Sequence, residues 1–177
     1  MRRVVLLFVA VWIAALPMLA QQSPVQGLEG KPMPAFVLED VAGQKVALEQ
    51  FKGRAVMISL WATWCAPCRA EVPWLIALRN QYKDEGFELL AISEDDFDAS
   101  SAEKLASSRA IVAHYAERLH LPYPVLLNGQ SLPAPLGGLD SLPTALYVNR
   151  EGVVVATSSG IVEKDEIERK IRLALGK

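Results

Sequence analysis

The sequence predicts an α/β fold, with a central mixed β-sheet flanked by helices on both faces and an N-terminal β-hairpin extension. Three observations carry this. Strand-like segments alternate with segments of helical spacing, the arrangement that builds a sheet with crossover helices. The strand-length run from Arg54 to Trp61 is continuously apolar, as a strand covered on both faces is. The composition, 51% hydrophobic and 21% charged over 177 residues, supplies one core of ordinary size.

The chain opens on MRRVVLLFVAVWIAALPMLAQQSP, where Arg2 and Arg3 precede an apolar run from Val4 to Ala20 and polar residues follow abruptly. That is the pattern of an export signal, so residues 1–20 are assigned to a signal peptide or N-terminal membrane anchor. Ala20 suits the last position before cleavage. Met18, third from that point, is larger than usual, and the run is at the short limit for crossing a hydrocarbon core about 30 Å thick. Cleavage and retention both stay open. In either case the domain sits outside the cytoplasmic membrane, in a periplasmic or cell-envelope compartment where disulfides persist. Residues 21–34, rich in Gln, Pro and Gly, read as a linker, and 35–177 as the folded domain.

Within that domain AFVLED (35–40) and QKVALEQF (44–51) flank a turn at Ala42-Gly43 and form the hairpin. The buried strand at 54–61 leads into a helix from about Pro67 to Asp84, inside which Pro73 removes one backbone hydrogen bond. After the strand at 87–93, a helix from about Ser101 to Leu119 places Leu105, Ile111, Val112, Tyr115 and Leu119 near helical spacing. A short strand at 123–128 and a loop at 129–141 with room for one helical turn come next. Residues 144–149 and 153–159 pair around the turn Arg150-Glu151-Gly152, and an amphipathic helix from Lys164 to Leu175 ends the chain. The net charge is -2, falling to -4 without Arg2 and Arg3. This argues against nucleic acid as a partner, because phosphate binding draws on an excess of Lys and Arg.

The only two cysteines, Cys65 and Cys68, stand in LWATWCAPCRAEVP. A zinc site would have to recruit His114 and His120, which lie six apart at a helix and point in different directions. Covalent haem attachment needs a histidine after the second cysteine, where Arg69 stands. A structural disulfide here would close a loop too short to restrict the unfolded chain much. A redox pair suits the position best. At the junction of a buried strand and a helix, Cys65 meets the unpaired N–H groups and positive end of the helix dipole, which stabilise a thiolate. Cys65 is then the exposed nucleophile, and Cys68, nearly one turn inside, resolves the mixed disulfide. Ala66 lies between them. Pro67 is tolerated in the first turn, and Trp64 offers a flat apolar face for a substrate chain, while Trp61 reads as core.

Cys68, Glu71, Leu75, Leu78 and Tyr82 fall at a 3-4-3-4 spacing, on one helix stripe that is otherwise apolar. Glu71 should therefore be buried near Cys68, with its pKa raised by desolvation, where it can exchange protons with the resolving thiol. The alternative is that it reaches solvent and favours the helix N-terminus electrostatically.

Taken together, WATWCAPC, the Glu71-Val72-Pro73 that follows, Leu142-Pro143-Thr144 before a strand and the NREG turn resemble the thioredoxin superfamily, and within it the extracytoplasmic thiol-disulfide oxidoreductases of the TlpA/ResA type. The resemblance spans about Pro32 to Leu175. It implies a thioredoxin-like fold and an extracytoplasmic protein-disulfide reductase, for example in cytochrome c maturation, with protein disulfides as substrates and a membrane electron donor for re-reduction. It implies no cofactor and no metal. Pro143 would be a cis-proline facing the disulfide, Leu142 would offer its backbone to a bound substrate chain, and Glu71 would be the buried active-site carboxylate. Ser59 departs from the acid or asparagine found at its position in relatives, which leaves the proton to Glu71. Glu94, Asp95, Asp96 and Asp98 form an unusually acidic strand end, read as a solvated loop or as a contributor to partner choice. Two other readings stand beside the reductase. A thiol peroxidase of the AhpC/TSA type would carry threonine where Ala62 stands, three residues before the nucleophile. A copper-delivery protein would use the two thiols as soft ligands.

Overall fold

The computed structural model describes residues 25–95, 101–127 and 139–177. The apolar run at 4–20, Asp96 and Asp98, and the loop at 129–138 lie outside the described residues. Seven strands form one sheet: β1 (Val37–Asp40), β2 (Lys45–Ala47), β3 (Ala55–Trp61), β4 (Phe87–Ser93), β5 (Val125–Leu127), β6 (Thr144–Val148) and β7 (Val154–Ser159). The α-helices are α1 (Ala66–Tyr82), α2 (Ala102–Arg118) and α3 (Lys164–Ala174). The strand order is β2-β1-β5-β4-β3-β6-β7. β3, β4 and β5 run parallel, with antiparallel hairpins on both sides. This is the expected mixed thioredoxin-like sheet, with the N-terminal hairpin added beyond β5.

The apolar strands sort their side chains by parity. Ala55, Met57 and Trp61 of β3, with Phe87, Leu89 and Ala91 of β4, belong to one core. Val56, Ile58 and Leu60, with Leu90 and Ile92, belong to the other. The three α-helices among the described residues bury their stripes in the first core, through Leu75, Leu78 and Tyr82, Val112 and Tyr115, and Ile167 and Ile171. Two 3-10 turns, Gln26–Leu28 and Leu48–Phe51, serve the second. Among the described residues, helical elements thus lie on both faces but unequally. The steps β3 to β4 to β5 run in one direction across the sheet, and right-handed crossovers then put α1 and α2 on the same face.

Other departures from expectation are local. The second half of the expected strand at 44–51 coils into a 3-10 turn, where the Gln50 carboxamide oxygen accepts the Ala47 N–H at 3.3 Å and Leu48 and Phe51 turn onto the second core. Ile111 is 56% exposed, one position off the stripe made by Val112 and Tyr115. The segment read as a linker is built into the fold from Val25 onward. Val25, Leu28 and Met33 are buried, Gly30 N–H donates to Val154 C=O at 2.8 Å and Val154 N–H to Lys31 C=O at 2.9 Å. The Glu29 carboxylate accepts both the N–H and the hydroxyl of Thr157. One charge interrupts the buried run of β4: Glu88 is forked by Arg79 at 3.0 and 3.2 Å, with Arg54 at 3.4 Å. Helix α1 continues through Pro73 to Tyr82.

Candidate active site

β3 ends at Trp61, which is buried and stacks at a tilt on Tyr115 with ring centroids 5.1 Å apart. The turn that follows is held at Thr63. Its N–H donates to both Asp95 carboxylate oxygens, at 3.2 and 3.0 Å, and its hydroxyl donates to Oδ1. Arg69 reaches back from α1 to the Thr63 carbonyl at 2.8 Å. Ser93 donates to Asp95 Oδ2 at 2.6 Å, fixing the carboxylate from below. Sequence reasoning missed this clamp. The reason lies in the pairing: Asp95 follows β4, whose last residue Ser93 pairs in register with Trp61, and that register, which brings the acid to the turn after Trp61, is not written in either segment.

Cys65 is the N-cap of α1, and its Sγ accepts the Cys68 N–H at 3.2 Å. Cys65 and Cys68 form a disulfide across a Cα–Cα distance of 5.3 Å. The sequence suggested an exposed nucleophile, yet Cys65 is 4% exposed. Bonded to Cys68 and turned toward the helix N-terminus, its sulfur lies under its neighbours. Trp64, 66% exposed, and Ala66 are the residues that meet solvent, with Pro67 half-buried in the first turn.

Leu142-Pro143 is a cis peptide bond, immediately ahead of β6. The Pro143 carbonyl accepts the Gly160 N–H at 2.8 Å, and Leu142 is half-buried, packed against both cores. Pro143 and Cys68 line the same small cavity of about 10 Å³. The structure therefore gathers Trp64, Cys65, Ala66, Pro67 and Cys68 on one turn and brings Pro143 to it from β6.

Glu71 lines that cavity with Cys68 and Ser59. The stripe is buried throughout, through Cys68, Glu71, Leu75, Leu78 and Tyr82, and Glu71 itself is 4% exposed. Loss of hydration raises its pKa from 4.5 to about 7, and the Val162 backbone N–H pulls it partly back. Its Oε1 has no hydrogen-bond partner among the described residues, an arrangement that favours the protonated form near neutrality. The site thus joins a disulfide at a helix N-terminus, a flat exposed indole, a cis-proline and a buried carboxyl that titrates near 7.

The comparisons agree with this geometry. The Redoxin family model matches residues 28–171. The thioredoxin-like protein YneN of Bacillus subtilis (strain 168) is 34% identical over 145 residues, covering 82% of this chain and 79% of that protein. The thiol-disulfide oxidoreductase ResA of Bacillus thuringiensis subsp. konkukian (strain 97-27) is 29% identical over 143 residues, covering 81% and 76%. Among solved structures, a thiol:disulfide interchange protein of the thioredoxin family from Chlorobium tepidum TLS superposes with a TM-score of 0.70 at 25% identity, covering 82% of this chain and 96% of that one. With its CxxC pair at the start of α1, the chain belongs to the Redoxin family and is a TlpA/ResA-type member of the thioredoxin superfamily.

Proposed function

We propose that this thiol-disulfide oxidoreductase works outside the cytoplasmic membrane as a reductase of protein disulfides, with cytochrome c maturation as one setting that fits. The Cys65 thiolate attacks a substrate disulfide, and Cys68, deprotonated by Glu71, attacks Cys65 Sγ and releases the reduced client. The oxidised enzyme is then re-reduced by a membrane electron donor. Trp64, Ala66 and Pro67 on one side, with Leu142 and Pro143 on the other, receive the client chain.

The observation that carries the direction is Glu71, buried beside Cys68. A thiol pair acts as an oxidant when its reduced, thiolate form is stabilised. A carboxylate forming in a dry site next to the resolving thiol opposes a second negative charge there, which favours the disulfide and makes the dithiol a reductant. The export signal and the ResA resemblance support the location. No helix among the described residues is long and apolar enough to cross a membrane, so attachment would fall to residues 1–20.

Replacing Cys68 with Ser strands the mixed disulfide at Cys65. In cells the variant should accumulate adducts with envelope proteins that carry disulfides, and these should disappear when Cys65 is also replaced. If no adduct formed while a small disulfide was still attacked by Cys65, the client-reducing role would be lost.

A further inference from the structure

Glu71 borders a second cavity, also about 10 Å³, shared with Pro143, Tyr147, Ser158, Gly160 and Val162. That volume is enough for one water, provided polar partners are present. They are. The Tyr147 side chain is fully buried and its hydroxyl, like Glu71 Oε1, makes no hydrogen bond of normal geometry among the described residues. Ser158 lies near enough to that phenol to offset part of the rise that burial gives its pKa. Ala145 pairs in register with Ser158, and Tyr147 with Ala156, so Tyr147 and Ser158 project from the same sheet face toward Glu71. Ser158 is half-buried on β7, which continues the line of polar groups toward solvent.

We propose that this cavity is a built site for one ordered water held by Glu71, Tyr147 and Ser158, through which the proton of Glu71 leaves the active site. Tyr147 and Ser158 are positioning residues for that water. The inference rests on the reading of Glu71 as proton acceptor for Cys68. When the mixed disulfide at Cys65 is resolved, the Cys68 thiol gives its proton to the Glu71 carboxylate. The Cys68 thiolate bonds to Cys65 Sγ, and the client sulfur leaves as a thiolate with the electron pair of the broken bond. Glu71 is then protonated beneath the closed disulfide, and the water relays that proton past half-buried Ser158 to solvent. The titratable and charged groups around this path are the Cys68 thiol on α1, the phenol of Tyr123 at the first cavity, and Glu166, Arg169 and Lys170 of α3 about Tyr147. Lys170 lies 5.9 Å from the Tyr147 ring centre and is tied to Thr157 C=O and Glu166.

The test uses the oxidised full chain with Tyr147→Phe and, as the milder change at a half-buried position, Ser158→Ala. Two quantities are read: long-lived internal water by magnetic relaxation dispersion, and the Glu71 titration by carboxyl carbon NMR. Each variant should lose one long-lived water. Each should also move the Glu71 pKa upward by about one unit, a tenfold change in its ionisation constant, because the carboxylate loses a hydrogen-bonded water. A dry cavity in the wild type, or a Glu71 titration unmoved in both variants, overturns the water site. If those results came with a slow release step in Glu71→Gln, only the water site would fall. If Glu71→Gln released client as fast as the wild type, the proton role of Glu71 and the route from it would fall together.

Discussion

Glu71 makes the stability of the oxidised enzyme depend on pH in a definite sense. Its carboxyl titrates near 7 in the fold against 4.5 when solvated, so between those values the native state holds a proton that the unfolded chain has released. Stability is then fully present below about 4.5 and falls as the pH rises through about 7. Relative to Glu71→Gln, the wild type should lose roughly 2–3 kcal/mol between pH 5 and pH 8, read by urea denaturation of both oxidised proteins. A gap that stayed constant would mean that Glu71 is solvated. Asp95 acts differently, as the anchor of the Thr63 turn. Asp95→Ala leaves the Thr63 N–H and hydroxyl without their acceptor and should lower stability by about 1–3 kcal/mol, measured as a shift of the urea midpoint at unchanged slope. The spacing of Cys68, Glu71 and Leu75 made the first residue legible from sequence. It could not reveal the second, because its partner lies on the neighbouring strand and strand register is not written in either segment.

At the scale of elements, α1 and β3 were readable because each carries a strong local signal: an unbroken apolar run, then a stripe with a cysteine at its head. The placement of α1 and α2 on one sheet face was not, since it follows from the order in which β3, β4 and β5 lie side by side. The segment from Val25 to Pro34 misled for a related reason. Its Gln, Pro and Gly content resembles a linker, while the few apolar residues in it are the ones that cover the second core. Leu28, 7% exposed, should cost about 2–4 kcal/mol when cut to Ala, by chemical denaturation. A loss under about 0.5 kcal/mol would show that the segment only rests on the sheet. Of the acidic strand end, Asp95 is spent on holding the active-site turn and so is not simply solvated.

Across the whole molecule, the sulfurs are covered while a broad indole stands in solvent beside them, an arrangement that presents a docking surface to a protein rather than an opening to a small molecule. Trp64→Ala should therefore leave stability within about 0.5 kcal/mol of the wild type and yet raise KM for a folded protein disulfide while sparing a small one such as oxidised glutathione, read by steady-state reduction of each. Equal losses on both substrates would place Trp64 in the chemistry instead. The same view makes proton handling the step that the fold has specialised. In the proposed cycle the helix end and its dipole serve Cys65, and burial of Glu71 serves Cys68. Both rest on the release of a client from Cys65. Rapid-quench mass spectrometry of a preformed mixed disulfide at Cys65 measures that release directly as a function of pH. The wild-type rate should climb through about pH 7 and level off. In Glu71→Gln it should be about 10²-fold slower near neutrality and climb only toward the range of a free thiol, about 8.5. Superimposable profiles for the two proteins would contradict the role given to Glu71.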